Sequence, residues 1–171
     1  MGTHQAPLTV IVKGALAGAA GTAVMSAFME RAPQMLEGFG IQLPAERPGP
    51  TAPDSPNEAL AQRVARGVVK QPLDADAKTT AGEAVHWTYG AAWGAFFAVM
   101  QSTLKLPHLV HGTIFGVLVG VVADTLLPAM RLQRDPRTNP APTNLMHMGA
   151  HVVYGVATAT VYRILNLGRR G

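Results

Sequence analysis

Six side chains in this sequence have the types and spacings that carry chemistry. Glu83-x-x-His86 places a carboxylate and an imidazole on one face of a helix, because residues three and four apart are neighbours there. His147-x-x-x-His151 does the same with two imidazoles, and Tyr154 extends that face. Asp124 and Glu30 complete the set. Three chemistries fit it. Imidazoles and carboxylates ligate Zn, Fe or Cu, and two of the histidines suffice for a haem. Helix-built di-iron centres take Glu-x-x-His from two helices. Only one occurs here, the second being replaced by His-x-x-x-His, which argues against a standard di-iron oxidase. Acids and histidines inside a membrane also relay protons. The plainest chemistry is structural: Glu30, Glu83 and His147 reach interfacial water from helix ends, while Asp124, His86 and His151 hydrogen-bond between helices.

The elements that must position these groups are nearly uncharged. Leu8–Met29 contains one ionisable residue (Lys13), Ala84–Met100 one (His86), Leu109–Met130 two (His111, Asp124) and Leu145–Tyr162 two (His147, His151). Each stretch has about the length of a membrane-spanning helix, roughly 20 residues. Charged residues make up 14% of the 171-residue chain, against about 25% in a typical soluble domain. The rival is a soluble helical protein with Ala/Gly-rich core helices, which the mean hydropathy of only +0.17 keeps open. We expect an all-α, four-transmembrane-helix bundle forming one integral membrane domain over 1–171, with helices at about 8–30, 82–101, 108–130 and 145–166.

With four spans, the end of the first, the start of the second, the end of the third and the start of the fourth share one membrane face. All six chemical residues then gather there. Asp124 continues the four-residue steps of Gly112, Gly116 and Gly120, so it should face the helices; a buried carboxylate must be paired or protonated.

Glycine marks the packing faces. Gly14, Gly18 and Gly21 form a stripe in the first span, Gly90 and Gly94 in the second, Gly112, Gly116 and Gly120 in the third; Gly149 and Gly155 lie in the fourth. Membrane helices use such small residues for close backbone contact. These faces predict tight packing and association with a membrane-protein partner or with further copies of the chain.

Residues 31–81 form the one long connection. Pro44, Pro48, Pro50, Pro53 and Pro56 favour an extended segment. Asn57 then reads as the N-cap of a short amphipathic helix, with Leu60, Val64 and Val68 on one face, Arg63, Arg66 and Lys70 on another, and Pro72 as its end. Such a helix lies at the lipid headgroups or on a solvated surface. Gln101–His108 reads as a tight hairpin, Arg131–Asn144 as irregular, and Asn144 as the N-cap of the last span.

HxxYG occurs twice, at His86–Gly90 and His151–Gly155. Lys13-Gly14 followed by Gly18 parallels His111-Gly112 followed by Gly116. Two tandem helix pairs, in parallel repeat, are one reading of this; chance among Gly-rich segments is the other. The leader before the first span has no Lys or Arg, so the span reads as uncleaved rather than as a secretory signal.

Several function classes are excluded. The chain has no Cys, hence no disulfide, thiolate metal site, iron–sulfur cluster or cysteine nucleophile. It has no P-loop, Ser–His–Asp set or dinucleotide fingerprint. The pI of about 9.9 does not indicate nucleic acid, because the 14 Lys/Arg form no patch with aromatic partners. Nine of them flank the loops after spans one and three and five the other side, which by raw count places the long loop in the cytoplasm.

Gly82, His86-Trp87, Leu104-Lys105-Leu106, the Gly-spaced third helix, Pro128, the Pro-containing loop and the His-bearing last helix ending in Arg together resemble the YagU-like bacterial inner-membrane proteins over roughly residues 80–165. That resemblance implies a small four-helix protein of unassigned activity in a bacterial inner membrane, with cytoplasmic termini, opposite to the raw charge count. The expected function is a non-enzymatic accessory or oligomeric membrane component whose first partner is the lipid bilayer. The alternatives are a metal- or haem-binding protein using His86, His147, His151, Glu83, Asp124 and Glu30, and a proton-coupled transporter or channel.

Overall fold

The computed structural model describes residues 6–40, 55–104 and 106–167. Most of the proline-rich stretch, including Pro44, Pro48, Pro50 and Pro53, lies outside them, as do Lys105, Arg169 and Arg170. The fold is all-α. The described residues form five helices, α1 (Pro7–Gly38), α2 (Pro56–Val68), α3 (Ala75–Thr103), α4 (His108–Ala129) and α5 (Ala141–Ile164), with a 3-10 turn at Pro136–Thr138.

The boundaries differ from the sequence expectation wherever local capping outweighs the apolar pattern. α1 continues past Glu30 and through Pro33 to Gly38, burying Ala32 on the way. α2 is capped by Ser55, not Asn57. The Ser55 hydroxyl accepts from the Glu58 N–H at 3.2 Å and the Glu58 carboxylate accepts from the Ser55 N–H at 2.9 Å. Pro56 sits at the first helical position, where its missing N–H costs nothing. α2 ends at Val68, before Pro72, with Lys70 at φ 58°. α3 starts at Ala75 rather than near 82, because the Asp74 carboxylate caps it by accepting from Ala77 N–H at 2.8 Å. α5 starts at Ala141, so Asn144 lies inside its first turn. Instead of capping, Asn144 fastens the preceding loop by donating to Pro136 O at 2.8 Å.

α4 ends where the sequence predicts, and the reason is visible. Arg131 turns left-handed at φ 56°, Arg131 N–H bonds Pro128 O at 2.8 Å and Leu132 N–H bonds Leu127 O at 2.9 Å. This is a Schellman cap with Arg in the place usually held by Gly, and Leu132 is buried behind it. Arg63 of α2 reaches across to donate to Met130 O at 2.6 Å, so a helix-terminal carbonyl of α4 is satisfied by a distant cation.

α1 packs antiparallel on α3 and on α5, and α4 on α5; α2 lies on α3. The short link between α3 and α4 returns the chain as the sequence predicts, but the two backbones stand apart and the helices meet through large side chains. Aromatic rings fill the space between them: Phe97 meets Phe115 edge-on with centroids 5.1 Å apart, and Trp93 meets Phe115 at 5.9 Å. Sequence neighbours separate here because the small-residue faces of α3 and α4 are both engaged elsewhere.

Those engagements match in register. A Cβ at Gly14 would come 2.6 Å from Gly94 O and 2.5 Å from Ala98 Cβ; a Cβ at Gly112 would come 2.7 Å from both Gly155 O and Ala159 Cβ. Gly18 faces the Gly90 carbonyl as Gly116 faces the His151 carbonyl. The packing therefore equates Gly94 with Gly155, one turn away from the alignment that HxxYG gives. The next layer inverts its parts. On the first pair the Thr22 side chain of α1 covers Gly90 of α3, whereas on the second the Met148 and His151 side chains of α5 cover Gly120 of α4. Gly21 seats α5, meeting Tyr154 O and the Thr158 hydroxyl. Gly149 has no such role, with only Phe28 Cζ at 4.0 Å.

Candidate functional site

The six residues singled out by the sequence lie toward the end of the molecule where α1 and α4 finish and α3 and α5 begin. They are not gathered equally. His86 and His151 are half-buried and within electrostatic reach of each other. His86 Nε2 lies 3.4 Å from the Ser26 hydroxyl of α1, a partner that no sequence motif announces. Glu83, one turn earlier on α3, faces His86. Asp124 and His147 lie within electrostatic reach of His151, whose Nδ1 lies 2.9 Å from the His147 carbonyl and donates to it. Glu30 is exposed on α1. The result is an open chain of polar groups, Glu83–His86–His151–Asp124, across the α1–α3–α5–α4 seam. Among the described residues no group of three or more His, Asp or Glu side chains is placed to hold a metal ion. The two hydrogen bonds these groups make among the described residues run from His86 to Ser26 and from His151 to the His147 carbonyl, and the side chains influence one another through their charges.

A second polar region lies at the opposite end, and the sequence reading passed over it. His111 is 2% exposed, stacked at 4.7 Å on Phe97, with its Nδ1 hydrogen-bonded to Gln101 Oε1 and its Nε2 buried without a partner. Nearby, Arg163 Nη1 lies 2.9 Å from His108 Nδ1. Lys13, which the sequence shows as a lone charge in an apolar run, donates to Leu165 O at 2.6 Å and Asn166 Oδ1 at 3.0 Å. It thus supplies a cation to the C-terminal end of α5, where the helix dipole favours one. The only sequence signal for this region is the lone histidine and lone lysine within spans, which acquire meaning when α1 and α5 are seen to be neighbours.

The α2 helix turns Ala61 and Ala65 inward and leaves Val64 and Val68 exposed, Val68 by 76%. Glu58 lies over Gly82 of α3, with its carboxyl held below the ordinary value of 4.5, first by the Ser55 N–H and then by the Ser55 and Thr79 hydroxyls.

α1 and α4 are long and apolar enough to cross a membrane, and only 28% and 39% of their most apolar stretches are buried within the chain. No family model, curated protein or solved structure matches the chain.

Proposed function

We propose that the protein is a four-span integral membrane protein with a non-enzymatic role, an accessory or self-associating component of the bilayer. The observation that carries this reading is the inside-out order of α4. Gly112, Gly116 and Gly120 are buried together with Phe115 and Val119, while the more numerous Leu109, Val110, Ile114, Val117, Leu118, Val121 and Leu126 are exposed. A helix in the core of a soluble protein turns its large apolar residues inward; an exposed apolar face this long fits lipid. α1 repeats the pattern with Leu8, Ile11, Val12, Leu16 and Val24 outward. In this reading α3 and α5 cross beside them, their polar residues turned to the seam, and α2 rides at the headgroups with Val64 and Val68 toward lipid. The resemblance to the YagU-like proteins supports a bacterial inner membrane with both termini cytoplasmic.

The glycine rows are occupied inside the chain, so association with a protein partner runs through the outward apolar faces instead. Alkaline carbonate washing of membranes tests the first half of this reading: the protein stays in the pellet, and release into the supernatant would overturn it. Size determination in mild detergent tests the second, where a clean monomer with no copurifying protein counts against an associating role.

The Ser26–His86–His151–Asp124 chain favours one other reading, a proton-coupled pathway. It predicts that Asp124→Asn abolishes proton flux in liposomes, and wild-type flux in that variant would remove Asp124 from any such role.

A further inference from the structure

The ten acidic side chains are segregated along the chain: none precedes Glu30, none falls between Glu83 and Asp124, and none follows Asp135. The end built from the start of α1, the finish of α3, the start of α4 and the finish of α5 therefore draws on segments with no carboxylate side chain. Those same segments supply Lys13, His108, His111 and Arg163. Between them opens a cleft of about 340 Å³, lined by Gln101, His108, Tyr162 and Arg163 and by apolar groups including Leu106 and Leu167. The volume lies in the range of small-ligand sites.

We propose that this cleft binds a phosphate group, presented by an anionic phospholipid at the membrane surface. Four features converge on that chemistry. Among the described residues the Arg163 guanidinium has the His108 ring as its partner, at 2.9 and 3.1 Å, and no carboxylate, so donors of its planar fork remain for an oxyanion. α4 begins beside it with Pro107 as N-cap, which offers no side-chain acceptor, and because Pro107 and His108 line the cleft the positive end of the helix dipole lies at its edge. The opposing negative end, that of α5, is offset by Lys13 on Leu165 O and Asn166 Oδ1. Leu106, Pro107, Ala159 and Leu167 give the same cleft an apolar flank suited to the glycerol and first methylenes of a lipid. Basic clefts between membrane helices bind anionic headgroups in this way.

The lipid as source rests on the membrane reading; the phosphate chemistry does not. The purified full chain is offered equal amounts of phosphatidylglycerol and phosphatidylcholine in neutral detergent, and retained lipid is read by native mass spectrometry. Phosphatidylglycerol is enriched about tenfold, and Arg163→Gln brings the ratio close to one. His108→Gln lowers it less, and Arg163→Lys keeps part of it; thermal melting in the same detergent verifies that each variant is folded. In a lipid-free arm inorganic phosphate is titrated and melting is followed. Saturable stabilisation that Arg163→Gln removes, without lipid enrichment, assigns the cleft to a soluble phosphate. Equal retention of both lipids with no response to phosphate overturns the proposal, as does undiminished enrichment in folded Arg163→Gln and His108→Gln. Carbonate release of the protein alongside a phosphate response would sink the membrane reading and leave the phosphate site standing.

Discussion

The phenolic oxygen of Tyr154 on α5 donates a 2.6 Å hydrogen bond to the backbone carbonyl of Gly90 on α3. The backbones of the two helices stand apart, each packed closely on α1, and large side chains such as Phe97 and Tyr162 meet across the gap. The same Gly90 carbonyl lies against Gly18 of α1, so three helices meet at one peptide group. The carbonyl can also accept its ordinary intrahelical bond, so removing the phenol hydroxyl leaves it satisfied. Tyr154→Phe is expected to cost about 1 kcal/mol or less, the usual scale of an interhelical hydrogen bond. Tyr154→Ala, which empties a buried ring site against Phe115, should cost roughly 3–5 kcal/mol. Equilibrium unfolding of both variants in mixed detergent checks the ratio; equal losses would mean that the hydroxyl rather than the ring holds the junction.

Two helical glycines, one packed and one open, should respond to the same substitution with opposite signs. A Cβ at Gly18 would stand 2.7 Å from Gly94 Cα, which is backbone and cannot step aside. Gly18→Ala is expected to destabilise by about 1–3 kcal/mol. Gly67 in α2 has nothing within 4 Å of such a Cβ. Gly67→Ala should therefore stabilise by about 0.5–1 kcal/mol through helix propensity. Melting temperatures of the two variants moving in the same direction would contradict this packing.

The glycine rows were legible in the sequence because close backbone approach leaves a four-residue signature that survives without knowing the partner helix. Which row meets which was not legible. HxxYG pairs Gly90 with Gly155, yet contact pairs Gly94 with Gly155, since packing is decided by the whole run of small residues around the motif. The pairing of α3 with α1, rather than with its sequence neighbour α4, depends on side chains more than sixty residues apart. The candidate site was legible to the same degree. Span order brought His86, His151 and Asp124 to one end, but Ser26 carries no motif, and the Arg163–His108 pair joins residues on helices that only the fold makes adjacent. The cap of α2 rests on short-range chemistry, Ser55-x-x-Glu58, yet the sequence reading places it at Asn57, two residues nearer the apolar face that starts at Leu60.

The capping box gives α2 a pH dependence whose sign follows from Glu58. Its carboxyl titrates below the ordinary 4.5 in the folded protein, because the ionised form accepts from the Ser55 N–H first and then from the Ser55 and Thr79 hydroxyls. A depressed folded value means the stabilisation is fully present above the unfolded value. It is lost as pH falls from about 4.5 through the lowered folded value. Hydrogen exchange at the Ser55 and Glu58 amides should accelerate across that window while α4 amides stay protected. Glu58→Gln should flatten the dependence, because its amide oxygen still accepts but no longer titrates. Ser55→Ala should weaken α2 at every pH by about 0.5–2 kcal/mol.

His111 and Gln101 form the other testable pair. The imidazole is buried against Phe97 with Nε2 unpaired, so Gln101 supplies the one hydrogen bond the ring makes. Gln101→Leu leaves both ring nitrogens unsatisfied and is expected to cost about 1–3 kcal/mol. His111→Phe in the same chain removes the orphaned groups and places an aromatic ring among Phe97 and Phe115, where rings already meet edge-on. The double variant Gln101→Leu/His111→Phe should therefore recover most of the loss, since deleting both partners of a buried polar pair is nearly neutral. A full unfolding cycle of the two single variants and the double measures this coupling. If the double variant is as unstable as Gln101→Leu alone, Gln101 acts on stability through its other contact, the 3.2 Å bond from its amide to Leu106 O that shapes the α3–α4 link.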